Sequence, residues 1–374
     1  MNKFQFSRIQ LGLVLVFGSS TLFGQSKNPF YMNLSAIQEY RSNIYRVEDS
    51  LKTADSRINT SLRIGYQKSA TASKQYLNIY YENQLKQYYS YQIYSRMEHV
   101  LFGNFHVSPW KNSQINITDR FQFRDYSNSE PLNYYRNILT AYLRQTLFND
   151  WQVSTGYRHW LKQYPNSITI KDYSSNRLFL TATYELDTKT RIGLKNEFSW
   201  HRGNLYPFNV SNDETLNPIG TRYSVELFGR SIIQKKYFID LRYTFETDRP
   251  EDFENDEEGE HSGDEDTEDI LAEDSDFDYT KHQVSSSVLF KASNRLSLFG
   301  FGVIQSKHFR HWLLVEGENE HRRDLLFYLS LNAKFNFLKN LSLDFNYNLE
   351  NNQSNLSSFQ YSTSVVGIGL RYRF

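Results

Sequence analysis

The chain has 374 residues, 42 basic and 42 acidic side chains, 28 Tyr, 28 Phe and no Cys. Without thiols there are no disulfides, thiolate metal sites, cysteine nucleophiles or lipidated cysteines. After residue 25 no apolar run approaches the roughly 18–20 residues of a spanning helix, which excludes a helical membrane protein. An aromatic content of 16% at a mean hydropathy of −0.64 suits strands with one apolar and one wet face.

In chain order, Lys3 and Arg8 supply a positive end, Leu11 to Phe17 form a short apolar core, and small or neutral residues follow. This is the pattern of a secretory signal over residues 1–24, cut near Gly24–Gln25, with residues 25–374 as the folded part. Strands are expected near 33–46, 58–67, 76–87, 91–106, 114–126 and 134–147. Residues 27–57 alternate poorly; were the first strand a lead-in, fourteen strands would remain after another correction.

Later segments alternate more clearly. Leu178, Leu180, Ala182, Tyr184 and Leu186 oppose Thr181, Thr183 and Glu185, and Tyr223, Val225 and Leu227 oppose Arg222, Ser224 and Glu226. Tyr237, Ile239, Leu241, Tyr243 and Phe245 oppose Asp240, Arg242, Thr244 and Glu246. Leu296 to Ile304 reads in either parity, whereas Leu341, Leu343, Phe345, Tyr347 and Leu349 oppose Ser342, Asp344, Asn346 and Asn348. Asp119, Asn137 and Asn196 fall on the apolar parity, where a rim position or a register-shifting bulge is expected.

Polar turns stand at Phe148–Asp150, Asp187–Thr190, Gln234–Lys236, Ala292–Arg295 and Leu338–Asn340. Between them the connections are longer, roughly 163–175, 203–220, 248–278, 306–320 and 350–358. The count is sixteen strands, and an even number puts both chain ends at one rim, where the first strand can pair with the last. The expected fold is an all-β, closed antiparallel transmembrane barrel.

The ending VVGIGLRYRF, residues 365–374, resembles the terminal signature of Gram-negative outer-membrane barrels. The resemblance implies that Ile368, Leu370, Tyr372 and Phe374 are read by the barrel-assembly machinery. It further implies an outer-membrane location with both termini periplasmic and the longer loops outside. It covers the last strand closely and the rest only as a pattern, and it names an architecture rather than an activity.

Three features carry candidate chemistry. Parity aims Glu185, Lys195, Glu197, Arg222, Glu226, Arg230, Asp240, Arg242, Asp344, Arg371 and Arg373 inward. A sixteen-stranded barrel is wide enough for an aqueous channel, whose wall charges would set ion preference; otherwise they brace the wall as salt bridges. The second feature is the acidic run 251–278, with sixteen carboxylates and no Lys or Arg, which leaves a formal +16 on the rest of the chain. It reads as a solvated outer loop. Asp256, Glu257, Glu258, Asp264, Glu265 and Asp266 are candidate ligands for divalent cations, without the fixed Gly and terminal Glu of a defined calcium loop. A fold-back of this loop to gate the basic lumen is the alternative.

Histidines are the third. Arg158-His159-Trp160 and Arg310-His311-Trp312 repeat near two strand ends, where Trp suits an interfacial girdle. His201, His308 and His321 are the candidates for a hydrolase site, but no Ser/His/Asp spacing marks a nucleophile with an oriented base. Nucleic-acid binding is unsupported because the basic residues are interleaved along strands, and a plugged transporter of 22 strands needs far more chain. No cofactor is implied. The leading expectation is a porin-like passive channel for small hydrophilic solutes. The alternatives are an occluded barrel with a surface, structural or adhesion role, then an outer-membrane hydrolase.

Overall fold

The computed structural model describes residues 29–43, 53–70, 75–126, 132–148, 150–165, 172–202, 219–250, 278–313 and 321–374. Residues 1–24, read from sequence as a secretory signal, and the carboxylate clusters between Asp256 and Asp266 lie outside them. The strands are β1 Phe30–Arg41, β2 Asp55–Ala70, β3 Gln75–Tyr88 and β4 Arg96–Val107. There follow β5 Ser113–Tyr126, β6 Tyr134–Phe148, β7 Trp151–Gln163 and β8 Tyr173–Glu185. The third quarter is β9 Thr190–Arg202, β10 Ile219–Ile233, β11 Tyr237–Pro250 and β12 Tyr279–Lys291. The last are β13 Leu296–Leu313, β14 His321–Asn336, β15 Leu341–Ser354 and β16 Tyr361–Arg373.

Each strand pairs antiparallel with its neighbours in sequence, and β1 pairs with β16 through Asn33 opposite Arg373. The sheet therefore closes with sixteen strands. The Phe374 amide donates to the Met32 carbonyl at 2.9 Å, which completes the seam. Connections at one rim have two to five residues; those at the other have six to 28. Both described ends of the chain lie at the short-turn rim.

Several boundaries differ from the sequence reading. Gln92–Tyr94 form a 3-10 turn, so β4 starts at Arg96 rather than near 91. β13 continues to Leu313 and β15 to Ser354, past the positions where loops were expected. Strands of 12 to 18 residues exceed the roughly 9–11 needed to cross a bilayer, so strand ends project beyond it.

The side-chain period of two sorts the wall into faces. Ile64, Leu101, Leu180, Leu227, Leu241, Ile304, Ile368 and Leu370 lie exposed on the outer face. Aromatic girdles edge this face: Trp151 meets Tyr184 at 5.1 Å and Tyr237 stacks on Phe290 at 4.7 Å near the short turns. Towards the other rim His99, Phe123 and Tyr135 stack in sequence. The ambiguous Leu296–Ile304 segment resolves with Val303 buried inside and Ile304 exposed outside.

Asp119 and Asn196 lie at mid-strand, Asn137 lies one outward position inside the girdle residue Tyr135, and none of the three marks a bulge. Register runs unbroken past them, and each is satisfied sideways. Asn137 Nδ2 donates to Asp119 Oδ1 at 2.7 Å, and the Tyr223 hydroxyl donates to Asn196 Oδ1 at 3.0 Å.

Two local devices hold register. Inward-facing Gly65, Gly156 and Gly193 stand directly opposite Tyr31, Phe179 and Phe228, whose rings lie over them; a Cβ there would overlap the ring. The turn joining β10 and β11 has Gln234 at φ 53° and Lys235 at φ 57°, with the Lys236 amide donating to the Ile233 carbonyl at 3.1 Å. Two consecutive left-handed residues match the twist of the hairpin they join.

Candidate functional site

Closure turns the polar face of the strands inward, so among the described residues the lumen wall is where charged groups gather. At the strand ends near the long loops the inward groups are deeply buried, among them Tyr88, Arg96, Lys162, Asp248, Tyr279 and Phe309. Near the short turns the lumen opens into a cavity of about 850 Å³, bordered by Ser35, Ser61, Arg63, Lys334, Arg371 and Arg373.

The charges singled out from sequence fall into local groups. Near the short turns Glu185 pairs with Arg191 at 2.8 Å, and Asp344 with Arg371 at 3.0 Å. Asp240 is shared by Arg230 and Arg242; the Arg242 contact is 2.5 Å, and Arg242 reaches Glu226 at 3.4 Å. Higher on the wall Glu197 binds Lys195 at 2.7 Å and Arg177 at 3.0 Å. Arg222 is buried, with two donors on one oxygen of Asp248 at 2.7 and 2.9 Å and Glu246 at 3.8 Å. Arg373 lines the cavity and has no ion-pair partner among the described residues.

A second set escaped the sequence reading. Glu98 receives Lys86 at 3.5 Å, Arg96 at 3.0 Å and Arg124 at 3.2 Å, and Gln122 donates to its other oxygen at 2.9 Å. Glu39 binds Arg57 at 2.6 Å, and Glu246 binds Lys281 at 3.0 Å. Parity carried part of the signal, since Arg96 and Glu98 flank Met97 on one face.

Cations also outnumber acids on one wall. β5, β6 and β7 aim Arg120, Arg124, Arg136, Arg144, Arg158 and Lys162 inward, with no inward Asp or Glu. Several lean on aromatic rings: Arg124 lies 4.7 Å and Lys162 4.5 Å from the Tyr134 ring centre.

The Trp girdle reading fails at Trp160. Its side chain faces the lumen, is buried, and packs edge-on against Tyr173 at 5.0 Å with Arg177 nearby at 5.9 Å. The side chains of His311 and Trp312 lie outside the described residues. The three candidate histidines do not meet. His201 is buried in the lumen beside Tyr173, with Asp248 at 3.7 Å, while His308 and His321 sit on the outward parity of β13 and β14. Among the described residues no three His, Asp or Glu side chains gather as a metal site, and no helix is long and apolar enough to cross a membrane.

A closed antiparallel barrel of sixteen strands, girdled outside and charged inside, is the architecture of Gram-negative outer-membrane barrels. Solved structures share it. A BenF-like porin from Pseudomonas fluorescens Pf-5 is 9% identical, with 92% of this chain and 99% of that chain covered and a TM-score of 0.51. OccAB3 of Acinetobacter baumannii is 9% identical, with the same coverage and a TM-score of 0.50. At this identity the likeness is one of fold. No protein-family model matches the chain, and no curated protein matches it in sequence.

Proposed function

We propose that the protein is a porin-like passive channel for small hydrophilic solutes across the bacterial outer membrane. The observation that carries this is the polar cavity of about 850 Å³ inside the short-turn end of a closed, charge-lined barrel. Cross-braced carboxylates such as Glu197 and Asp240 hold the wall, while the cations around them face the solute path. The buried lumen groups near the long loops, Arg96 and Tyr279 among them, mark the narrow part of the passage. The short-turn rim then faces the periplasm, and Ile368, Leu370, Tyr372 and Phe374 present the outward row that the assembly machinery reads.

That same burial is what favours the second reading, an occluded barrel whose role is structural or adhesive. Swelling of liposomes holding the folded protein separates the two. The channel reading expects swelling with small uncharged sugars that falls off with sugar size. A rate equal to that of protein-free liposomes supports the occluded barrel instead.

A further inference from the structure

The six inward cations of β5, β6 and β7 are unequally provided for. Arg124 has Glu98 at 3.2 Å, and Arg136 donates to Gln122 at 2.6 Å. Arg144 reaches only a neutral amide, Gln114 at 3.4 Å, and lies 5.5 Å from the Tyr142 ring centre. Arg158 reaches only the Thr140 hydroxyl at 3.2 Å. For Arg120 and Arg144 the Nε atom is buried without a hydrogen-bond partner among the described residues. None of Arg120, Arg144 and Arg158 has an ion-pair partner there.

Arg158 is also placed against its own kind. It stands in direct cross-strand register with Arg177 of β8, and like charges directly opposite one another repel. The one carboxylate at hand, Glu197, is already shared by Arg177 and Lys195. Three cations therefore face a single acid. Guanidinium donors fit the oxygens of a carboxylate or phosphate in pairs, and a desolvated guanidinium left without an anion is unfavourable.

We propose that the β5–β8 wall is an oxyanion track, with Arg144, Arg120 and Arg158 as successive contacts and a bridging position between Arg158 and Arg177. The solutes it selects are small carboxylate- or phosphate-bearing molecules. This deepens the channel reading and rests on it.

The test is a reversal potential across a planar bilayer under a KCl gradient, followed by addition of acetate or inorganic phosphate. The track predicts that chloride permeates more readily than potassium and that either oxyanion lowers the chloride current. It predicts that the preference falls at least about threefold in a variant carrying Arg120→Gln, Arg144→Gln and Arg158→Gln. Arg158→Lys alone, which keeps the charge, retains most of the preference, and Lys68→Gln, on the outward parity of β2, changes it little. A variant that fails to run as a folded band on an unboiled gel is replaced by Arg158→Gln alone. Conductance without anion preference, or a preference indifferent to the arginine substitutions, overturns the track and leaves the channel standing. Absence of conductance from folded wild-type protein overturns both.

Discussion

Glu197 is the position at which the bracing of the lumen is most open to measurement. It is buried on β9 and holds Lys195 at 2.7 Å and Arg177 at 3.0 Å. The substitution Glu197→Gln keeps the shape, removes the charge, and leaves both cations facing Arg158 with no carboxylate between them. Removing one partner of a buried pair costs about 3–5 kcal/mol. The Lys195 side chain is 28% exposed, so water takes up part of its loss, and the lower end, about 3 kcal/mol, is expected. Adding Arg177→Gln removes the most deeply placed orphan and its repulsion with Arg158, and recovers about 2 kcal/mol. Urea unfolding of the folded barrel in lipid vesicles, followed by Trp fluorescence and by the shift of the unboiled gel band, reads both numbers. A single variant within about 0.5 kcal/mol of wild type refutes the reasoning. So does a double variant no more stable than the single.

Other outcomes follow from the same geometry. Gly193→Val forces a side chain into the Phe228 ring and destabilises by about 1–3 kcal/mol, and Phe228→Ala in the same chain relieves part of it; urea midpoints of the three proteins decide this. Lys235→Gly removes a left-handed strain from the β10–β11 turn and stabilises by about 1 kcal/mol, read as a raised midpoint. In the β8–β9 turn, backbone amides of Lys189 at 2.6 Å and Thr190 at 2.8 Å donate to Asp187 and hold its carboxyl below the usual carboxylate range. A depressed acid contributes stability above its unfolded value, lost as pH falls through the folded one. The advantage of wild type over Asp187→Ala is therefore full at pH 7, shrinks below about pH 4 and disappears in stronger acid. A gap that persists undiminished in strong acid contradicts it.

The strand count was legible because one constraint acts on every strand alike. Lipid outside and polar groups inside impose a period of two, which Leu341–Leu349 and Ile239–Phe245 display without interruption. Strand ends beyond the hydrocarbon escape that constraint. The largely basic stretch Lys307 to Arg310 and the polar residues Asn351 to Ser354 resembled loops while continuing strands, and Tyr91 to Tyr94 alternated acceptably while forming a turn. Trp160 was misplaced for a related reason. A Trp near a strand end suits a girdle, and only its parity with Arg158 and Lys162 shows that it faces the lumen.

Inward charges were legible one at a time, but their partners were not. Arg177 and Glu197 lie twenty residues apart in the chain and meet because β8 and β9 run in a particular register. A shift of two residues would keep every parity and change every pair. The bare arginines of β5 to β7 were hidden likewise, since lacking an acid is a property of three neighbouring strands.

The account stands on alternate residues of one strand meeting water and lipid in turn, and the absence of native Cys makes that directly measurable. Single substitutions Leu343→Cys, Asp344→Cys, Phe345→Cys, Asn346→Cys, Tyr347→Cys and Asn348→Cys along β15 would be exposed in liposomes to a small water-soluble maleimide. Fast labelling at 344, 346 and 348 with protection at 343, 345 and 347 is the predicted result. Equal labelling at all six, or the opposite alternation, would contradict a water-facing lumen inside a lipid-facing wall.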